Sequence, residues 1–518
     1  MKRTLLYIFL SLPLGLCAQN MYDAASFLGN DLSGTARYIG MAGSMSALGA
    51  DLSTMSTNPA GIALYRSNDL SFTAGMNIKD NSAAYEGTTV QSSNINGFVS
   101  NASFVFSMDL GCKNAKFLNL AFGYRKKNNL DANFEMFGNA GIFSQQYIID
   151  LIYKKNPFDF NSMSGDMYQG FGYSWLSLLA ADGYLHDGEN FIMDTEGNLM
   201  WAPKDISFYQ EERGGVDVMD LNASLNIADR GYVGITLGIA NVNYGRSGWY
   251  SDVDADGRNI YTMETNRYIE GTGFDLKLGA IVRPFKYSPF KLGFSLHTPT
   301  WYQLNEYFSA AVDDGRGSYV STIDSGFYEG DFTVSSSLAT PWRFNASMAY
   351  TFGTYVALDA EYEYANYAQS KFYSRSAVCT AQNEEMRRNL KEEHTVRAGA
   401  EFNGVHTLRM GMEARIAPQF SLRAGYNYST APFEADAYKN LDNASVVETS
   451  TEYMNRFDKH VATLGLGYRG KIVYFDLAYM METQKADFFP FYDTEYINPA
   501  ASVDLTNHNV VATLGLRF

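Results

Sequence analysis

The chain has 518 residues, 46% hydrophobic and 15% aromatic but only 19% charged, with a formal net charge of −16. Soluble globular proteins carry about 25% charged residues, and beyond the first residues no stretch of about 18 apolar residues appears, which excludes a helical membrane protein. Glycine at 45 residues, tyrosine at 37 and strong local alternation exclude a coiled coil or a disordered chain. What remains is a large secreted β protein or an outer-membrane barrel, and the acidic balance argues against nucleic acid as a partner.

Lys2 and Arg3 precede an apolar run over 5–16, and Cys17-Ala18-Gln19 offers a small residue at a cleavage point. This predicts a secretory signal peptide over 1–18, cut after Ala18. A lipoprotein reading through Cys17 is weakened by Leu16, which stands where a small residue is wanted. Losing Lys2 and Arg3 takes the formal charge from −16 to −18. Two cysteines stay in the mature chain, Cys112 and Cys379, too few for a disulfide scaffold.

Residues 19–68 are rich in Gly, Ala, Ser and Met and poor in charge, and Pro59 holds Asn58 extended. Small residues pack tightly, so this segment is either a plug filling a barrel lumen or a periplasmic extension. From about residue 69 to 518 the hydrophobicity has period two. Phe274, Leu276, Leu278, Ala280 and Val282 alternate with Asp275, Lys277, Gly279 and Arg283. Trp342, Phe344, Ala346, Met348 and Tyr350 do the same, as do Phe420, Leu422, Ala424, Tyr426 and Tyr428. Last come Val510, Ala512, Leu514, Leu516 and Phe518.

One greasy face and one polar, often charged, face over about ten residues is the pattern of a transmembrane strand. A soluble sandwich also alternates, but here Arg and Asp stand at mid-strand and aromatics gather near segment ends, as interfacial girdles require. Tight turns are predicted at 109–115, 228–231, 286–289, 353–354, 417–419 and 469–471. Long connections are predicted at 80–95, 127–215, 251–267, 312–331, 370–393, 430–458 and 483–507. Thirteen connections make fourteen strands, an even number that fits a single-chain bacterial barrel.

The stretch from His394 to Glu401 nearly repeats from His406 to Glu413 at an even offset, so both copies are read as one long strand with Asn403-Gly404 as a bulge. The connection 127–215 is too long for plain coil. Helix-like apolar spacing over 142–155 and 168–185 predicts that it folds over the barrel mouth. Cys112 falls in a turn and Cys379 in a long loop, at opposite barrel ends, so they do not pair. The expected fold is an all-β, 14-stranded antiparallel transmembrane barrel with an N-terminal plug and a partly helical extracellular loop.

The segment before the first strand resembles the N-terminal hatch of the FadL/TodX family of outer-membrane transporters for hydrophobic compounds. The matching residues are Arg37, Gly40, Gly43, Ala47, Asp51, Asn58, Pro59 and Ala60. The strand count, the helical third-to-fourth-strand loop, Thr340-Pro341-Trp342, Ala431-Pro432, Asn455-Arg456-Phe457 and the terminal Phe518 extend the likeness over the mature chain. The resemblance implies a monomer in the outer membrane of a double-membraned bacterium, inserted by the barrel assembly machinery through its C-terminal strand and Phe518. It implies passive uptake of small hydrophobic molecules such as long-chain fatty acids, through a hatch movement or a gap in the wall, with no cofactor.

Phe143, Tyr147, Ile148, Leu151, Ile152, Phe171, Trp175, Leu178 and Leu179 form a candidate capture groove, or pack the long loop onto the barrel. Inward Arg343, Arg397, Arg409, Arg415 and Arg423 either hold a carboxylate head group or pair with wall acids such as Asp359, Glu361 and Glu413. The histidines at 186, 297, 394, 406, 460 and 508 show no metal spacing. His297 is expected inward and His406 outward near the interface, neither with a serine partner, so no enzyme and no metal site is expected. Asp252-Val253-Asp254-Ala255-Asp256-Gly257 resembles the start of a calcium loop, but position twelve is Met263 and the acid is Glu264. Solvated acids are the preferred reading. Two rival functions stand beside transport: a type IX secretion shuttle or scaffold, and a general or heme-binding porin.

Overall fold

The computed structural model describes residues 21–140, 144–146, 149, 175–182, 203–313, 320–324, 334–376, 395–397, 402–434, 437–439, 448–491 and 499–518. The signal peptide, Cys379, His186 and His394 lie outside them, as do Phe143, Tyr147, Ile148, Leu151, Ile152 and Phe171. Fourteen antiparallel strands close into a barrel, several of them split by a short break. In chain order they are β1 (Asp69–Tyr85), β2 (Thr88–Asp109), β3 (Ala115–Asn129 and Ala132–Asn139), β4 (Asp205–Ile227) and β5 (Gly231–Val253). Next come β6 (Asn259–Val282), β7 (Lys291–His297 and Trp301–Asp313), β8 (Val320–Asp324, Val334–Ala339 and Arg343–Phe352), β9 (Val356–Asn366 and Lys371–Ser376) and β10 (Thr395–Arg397 and Gly404–Ala417). The last are β11 (Phe420–Ser429), β12 (Tyr453–Arg469), β13 (Val473–Phe489) and β14 (Ala501–Arg517). A ladder from Asp69↔Arg517 to Ala84↔Ser502 joins the first strand to the last.

The alternation sorts the faces as expected. Phe274, Phe344, Met348, Leu422 and Leu514 are exposed on the outer face, while Asp275, Lys277, Arg343, Asn345 and Arg423 are buried in the lumen. So large an exposed apolar belt needs lipid around it. The expected tight turns all fall between strands, and exposed Cys112 lies in the first of them.

The expected long loops are shorter than predicted, three of them most plainly. Residues 80–95 belong to a hairpin paired down to Tyr85↔Thr88, closed by Glu86 and Gly87 at φ 43° and 83°. Positive φ at both central residues is the geometry that matches strand twist. The 251–267 loop shrinks to a turn in which Asp254 accepts from the N–H groups of Asp256 and Arg258. The 483–507 loop is paired up to Phe488↔Ala501. Above the membrane neither face of a strand must be greasy, so the period-two signal fades while the ladder continues. The long strand read through the His394 and His406 repeats is one strand of the wall, but it is interrupted rather than bulged: Thr395–Arg397 and Gly404–Ala417 pair with separate pieces of β9, and Phe402 bridges to Phe433 between them.

The segment ahead of β1 fills the lumen. Its helices α1 (Met21–Leu28) and α2 (Ala36–Gly40) are followed by 3-10 turns Leu52–Ser56 and Pro59–Leu64. Thr35, Asp51 and Asn58 cap the last three, each accepting a backbone N–H. Glycines at inward strand positions make room for this plug. Gly234 and Gly279 are cross-strand partners, and a Cβ on Gly279 would lie 2.1 Å from Asn58 Oδ1, one on Gly234 2.5 Å from the Pro59 carbonyl carbon. Gly411 and Gly425, also partners, likewise receive Met41 and Ala42. Gly40 itself meets Gly465 backbone to backbone, and Gly43 adopts φ 79° beside Leu32 and Tyr38.

Replacing both Gly234 and Gly279 by valine should unseat the Asn58–Ala60 turn at a cost of about 1–3 kcal/mol. Trypsin should then cut at the buried Arg37 while the barrel keeps its folded, heat-modifiable migration on gels. Unchanged protection of Arg37 would contradict the docking role of the glycine pair.

Candidate ligand route

Three layers succeed one another down the lumen. At the outer end the inward face of the strands turns apolar, reversing the pattern of the membrane level. In β7 the inward residues Phe308, Ala310 and Val312 are buried, whereas Gln303, Asn305 and Ser309 point outward. Phe134, Phe208, Tyr250, Tyr261 and Phe488 add to the same cluster. Into it packs α3 (Trp175–Asp182), in the loop expected to be partly helical; Trp175, Leu178 and Leu179 of the predicted groove are buried there with Ile149. Asp252, expected to face water, is buried instead. It accepts from Ser144 Oγ at 2.6 Å, Gln146 Nε2 at 2.7 Å and Tyr250 Oη at 2.7 Å, tying the long loop to the wall. Among the described residues no acidic cluster fit for a metal accompanies it.

The middle layer is a second apolar cluster, occupied by α1. Ala24, Phe27 and Leu28 seat against Val216, Val218, Val242, Tyr302, Leu304 and Phe433, with Leu130 at its margin. Lys127 stands beside it: its Nζ donates to Tyr302 Oη at 2.9 Å and Phe27 O at 3.3 Å, and among the described residues no carboxylate lies within ion-pair distance of it.

At this level two wall strands lose their backbone pairing, and side chains of the β1–β2 hairpin such as Asn96 and Lys79 bridge to Asn129 instead. The ladder between β2 and β3 runs only from Asp109↔Phe117 to Asn101↔Arg125, and β3 breaks between Asn129 and Ala132. Beyond the break, Asn81, Ser92 and Asn94 from the inner face of the β1–β2 hairpin bond Asn133 through their side chains. On the other side Gly214 and Gly215 take φ 95° and 146°, and a Cβ on Gly215 would lie 2.1 Å from Asn128 O. The free edge of β3 is taken up by the plug: Asp31 N donates to Lys127 O at 3.0 Å, and Asp31 Oδ2 accepts from Asn129 N at 2.8 Å.

The lowest layer is a lattice of charges that fastens the plug. Arg37 Nε donates to Glu413 Oε2 at 2.8 Å, Arg423 reaches the same carboxylate at 2.6 Å, and Arg423 also bonds Asp476 at 2.6 Å. Burial alone would lower the Arg37 guanidinium; Glu413, helped by Asp51 and Asp476, outweighs it and raises it further. Asp359 accepts from Ser44 Oγ at 2.9 Å and from the Ala47 and Leu48 N–H groups at 3.2 and 2.7 Å. His297, inward as expected, bonds Thr57 O at 2.7 Å.

The three candidate head-group arginines are therefore all engaged. Arg343 pairs with Glu363 at 2.9 Å and donates to Leu28 O, Arg409 pairs with Glu361 at 2.5 Å, and Arg423 joins Glu413 and Asp476. Arg415 is exposed at the turn below, and the Arg397 side chain lies outside the described residues. Asp31, Lys127, Leu130 and the glycine notches were not singled out from sequence. Glycine on the inward face of a strand, where no β-propensity favours it, is the signal that marks the notches.

Asp359→Ala strands two backbone N–H groups and a hydroxyl, so stability to denaturant should fall by about 1–3 kcal/mol. Asp359→Asn, which keeps an acceptor oxygen, should lose less. Equal denaturation midpoints for wild type and both variants would show that these bonds do not hold the plug.

No family model matches this chain, and no curated protein matches it in sequence. Solved structures do match in fold. A Pseudomonas aeruginosa FadL homologue is 13% identical with a TM-score of 0.54, covering 95% of this chain and 99% of that one. The P. putida toluene transporter TodX is 12% identical at a TM-score of 0.55, covering 94% and 99%. The Ralstonia pickettii toluene transporter TbuX is 11% identical at 0.50, covering 94% and 99%. A plugged fourteen-stranded barrel aligned along nearly its whole length with these channels has the FadL/TodX fold.

Proposed function

We propose that this protein is an outer-membrane channel for passive uptake of small hydrophobic molecules. The observation that carries the reading is the apolar column: a greasy mouth leads to a greasy chamber, whose margin at Leu130 adjoins the place where β2 and β3 part. A hydrophobic solute gains about 0.8 kcal/mol per buried CH₂, so such a column draws it where a wet pore would not. In this reading α1 holds the chamber until ligand displaces it, and exit runs sideways past Leu130 into the bilayer. The fold's solved relatives include toluene transporters, which supports the solute class. A shuttle or scaffold role would call for partner surfaces at the mouth; there Phe134, Phe208, Phe308 and Phe488 are buried inward, while Phe137 and Tyr307 are exposed. The exposed terminal Phe518, whose N–H donates to Asn68 O, is proposed as the assembly signal read during insertion.

Fatty acids are the finer proposal, and Lys127 rather than the paired arginines is the group to receive a carboxylate. A charge-assisted bond is worth about 1.5 kcal/mol or more, roughly tenfold in affinity. Lys127→Met should therefore slow uptake of labelled oleate about tenfold and leave toluene uptake unchanged. Equal loss of both would assign Lys127 to holding α1 alone. Leu130→Arg should slow uptake of both solutes by about tenfold or more, because a charge then stands in the exit. Unaltered uptake of toluene and oleate after deletion of the gene would overturn the channel reading itself.

A further inference from the structure

Three of the six histidines form one repeated arrangement on the outer wall. His406 Nδ1 lies 2.7 Å from Tyr362 Oη, His460 Nδ1 2.7 Å from Tyr426 Oη, and His508 Nδ1 2.8 Å from Tyr479 Oη. The pairs join β9 to β10, β11 to β12 and β13 to β14. Each tyrosine stands two residues to the turn side of the residue facing the histidine: Tyr364↔His406, Tyr428↔His460 and Met481↔His508. All three tyrosines are exposed. The pairs step regularly along the sheet: through the ladders His460 aligns with Leu408 and His508 with Ala462, each two residues to the turn side of the histidine before it. Toward the tight turns, the outward residues on the histidine strands are Leu408 and Met410, Leu464 and Leu466, and Leu514 and Leu516, all exposed to lipid. Toward the long loops the outer face turns polar, with Asp458 on β12, Thr483 on β13 and Asp504 on β14. The row therefore marks the outer edge of the apolar band, where lipid head groups begin.

Proton counting says what such a pair offers. A tyrosine brings one O–H and a neutral imidazole one N–H. The bond between Oη and Nδ1 uses one of them, whichever tautomer is present, and the other stays unspent. If the hydroxyl donates, Nε2–H is left; if Nδ1–H donates, the hydroxyl is left. At the edge of the apolar band the surrounding acceptors are lipid oxygens, and the phosphate is the strongest of them. We propose that the three Tyr–His pairs form a docking row for the phosphate groups of outer-leaflet lipids, one donor per pair, along the β9–β14 side of the barrel. The proposal needs only a membrane-spanning barrel and is independent of what the channel carries.

The test is native mass spectrometry of the purified barrel titrated with dioleoyl phosphatidylglycerol, with dioleoylglycerol as the phosphate-free lipid. Wild type should retain phosphatidylglycerol and not dioleoylglycerol. The variant Y362F/H406F/Y426F/H460F/Y479F/H508F, which keeps an aromatic girdle without donors, should lose at least about fivefold in lipid affinity. Should that variant fail to assemble, three variants that each lack a single pair carry the test, with partial losses that add. Equal retention of the two lipids, or wild-type phosphatidylglycerol affinity in the donor-free variants, would overturn the proposal. Displacement of the lipid by millimolar inorganic phosphate would assign the row to soluble anions instead, and would equally overturn it.

Discussion

Lipid offers no hydrogen bonds, so every backbone N–H and C=O at membrane depth must find its partner within the protein. That constraint closes the sheet, with the β1–β14 ladder as its seam. Closure in turn creates a lumen whose inward faces, freed from contact with lipid, carry charge. Asp220, Glu361, Glu363 and Asp476 are buried there with Arg125, Lys277, Arg409 and Arg423, and ion pairs among them, with hydrogen bonds to the plug, keep the burial tolerable. The plug is thus the inner partner of the wall as much as an obstruction.

The same constraint explains why the gap between β2 and β3 can exist. An unpaired strand edge facing lipid would be costly, but Asp31 supplies the missing donor and acceptor from inside. A ladder partner that is a loop instead of a strand can be withdrawn without unzipping the barrel. The break, the glycines opposite it and the neighbouring chamber lie together, and the proposed exit uses all three.

How much of this could be read in the residues depended on where lipid acts. At membrane depth it enforces alternation, so Phe274 through Val282 or Val510 through Phe518 announced strand, face and direction. Above the membrane that pressure is gone: the hairpin around Glu86-Gly87 looked like a loop because polar residues occupy both its faces, Asn81, Ser92 and Asn94 inside and Asp80, Ser82 and Gln91 outside, and Asp252 looked solvated because nothing local foretold Ser144 and Gln146 arriving from a distant segment. The plug's small residues were legible as packing, and its Asn-Pro-Ala turn as a landmark. Which wall residues received it was not, since the notch at Gly234 and Gly279 is made by two strands meeting. Nor could the sequence divide the arginines between ligand and lattice, because their acids lie on neighbouring strands.

The plug is stitched unevenly along its length. The stretch from Arg37 to Tyr65 is held by ion pairs, by the Asp359 carboxylate and by the glycine notches, and it continues directly into β1. The first helix, α1, meets the wall mainly through apolar side chains, which a greasy molecule can replace one for one. Displacing α1 therefore empties the chamber while the lower, polar stitches stay fastened. In the proposed channel a hydrocarbon therefore passes through the upper chamber while the polar stitches below it stay closed.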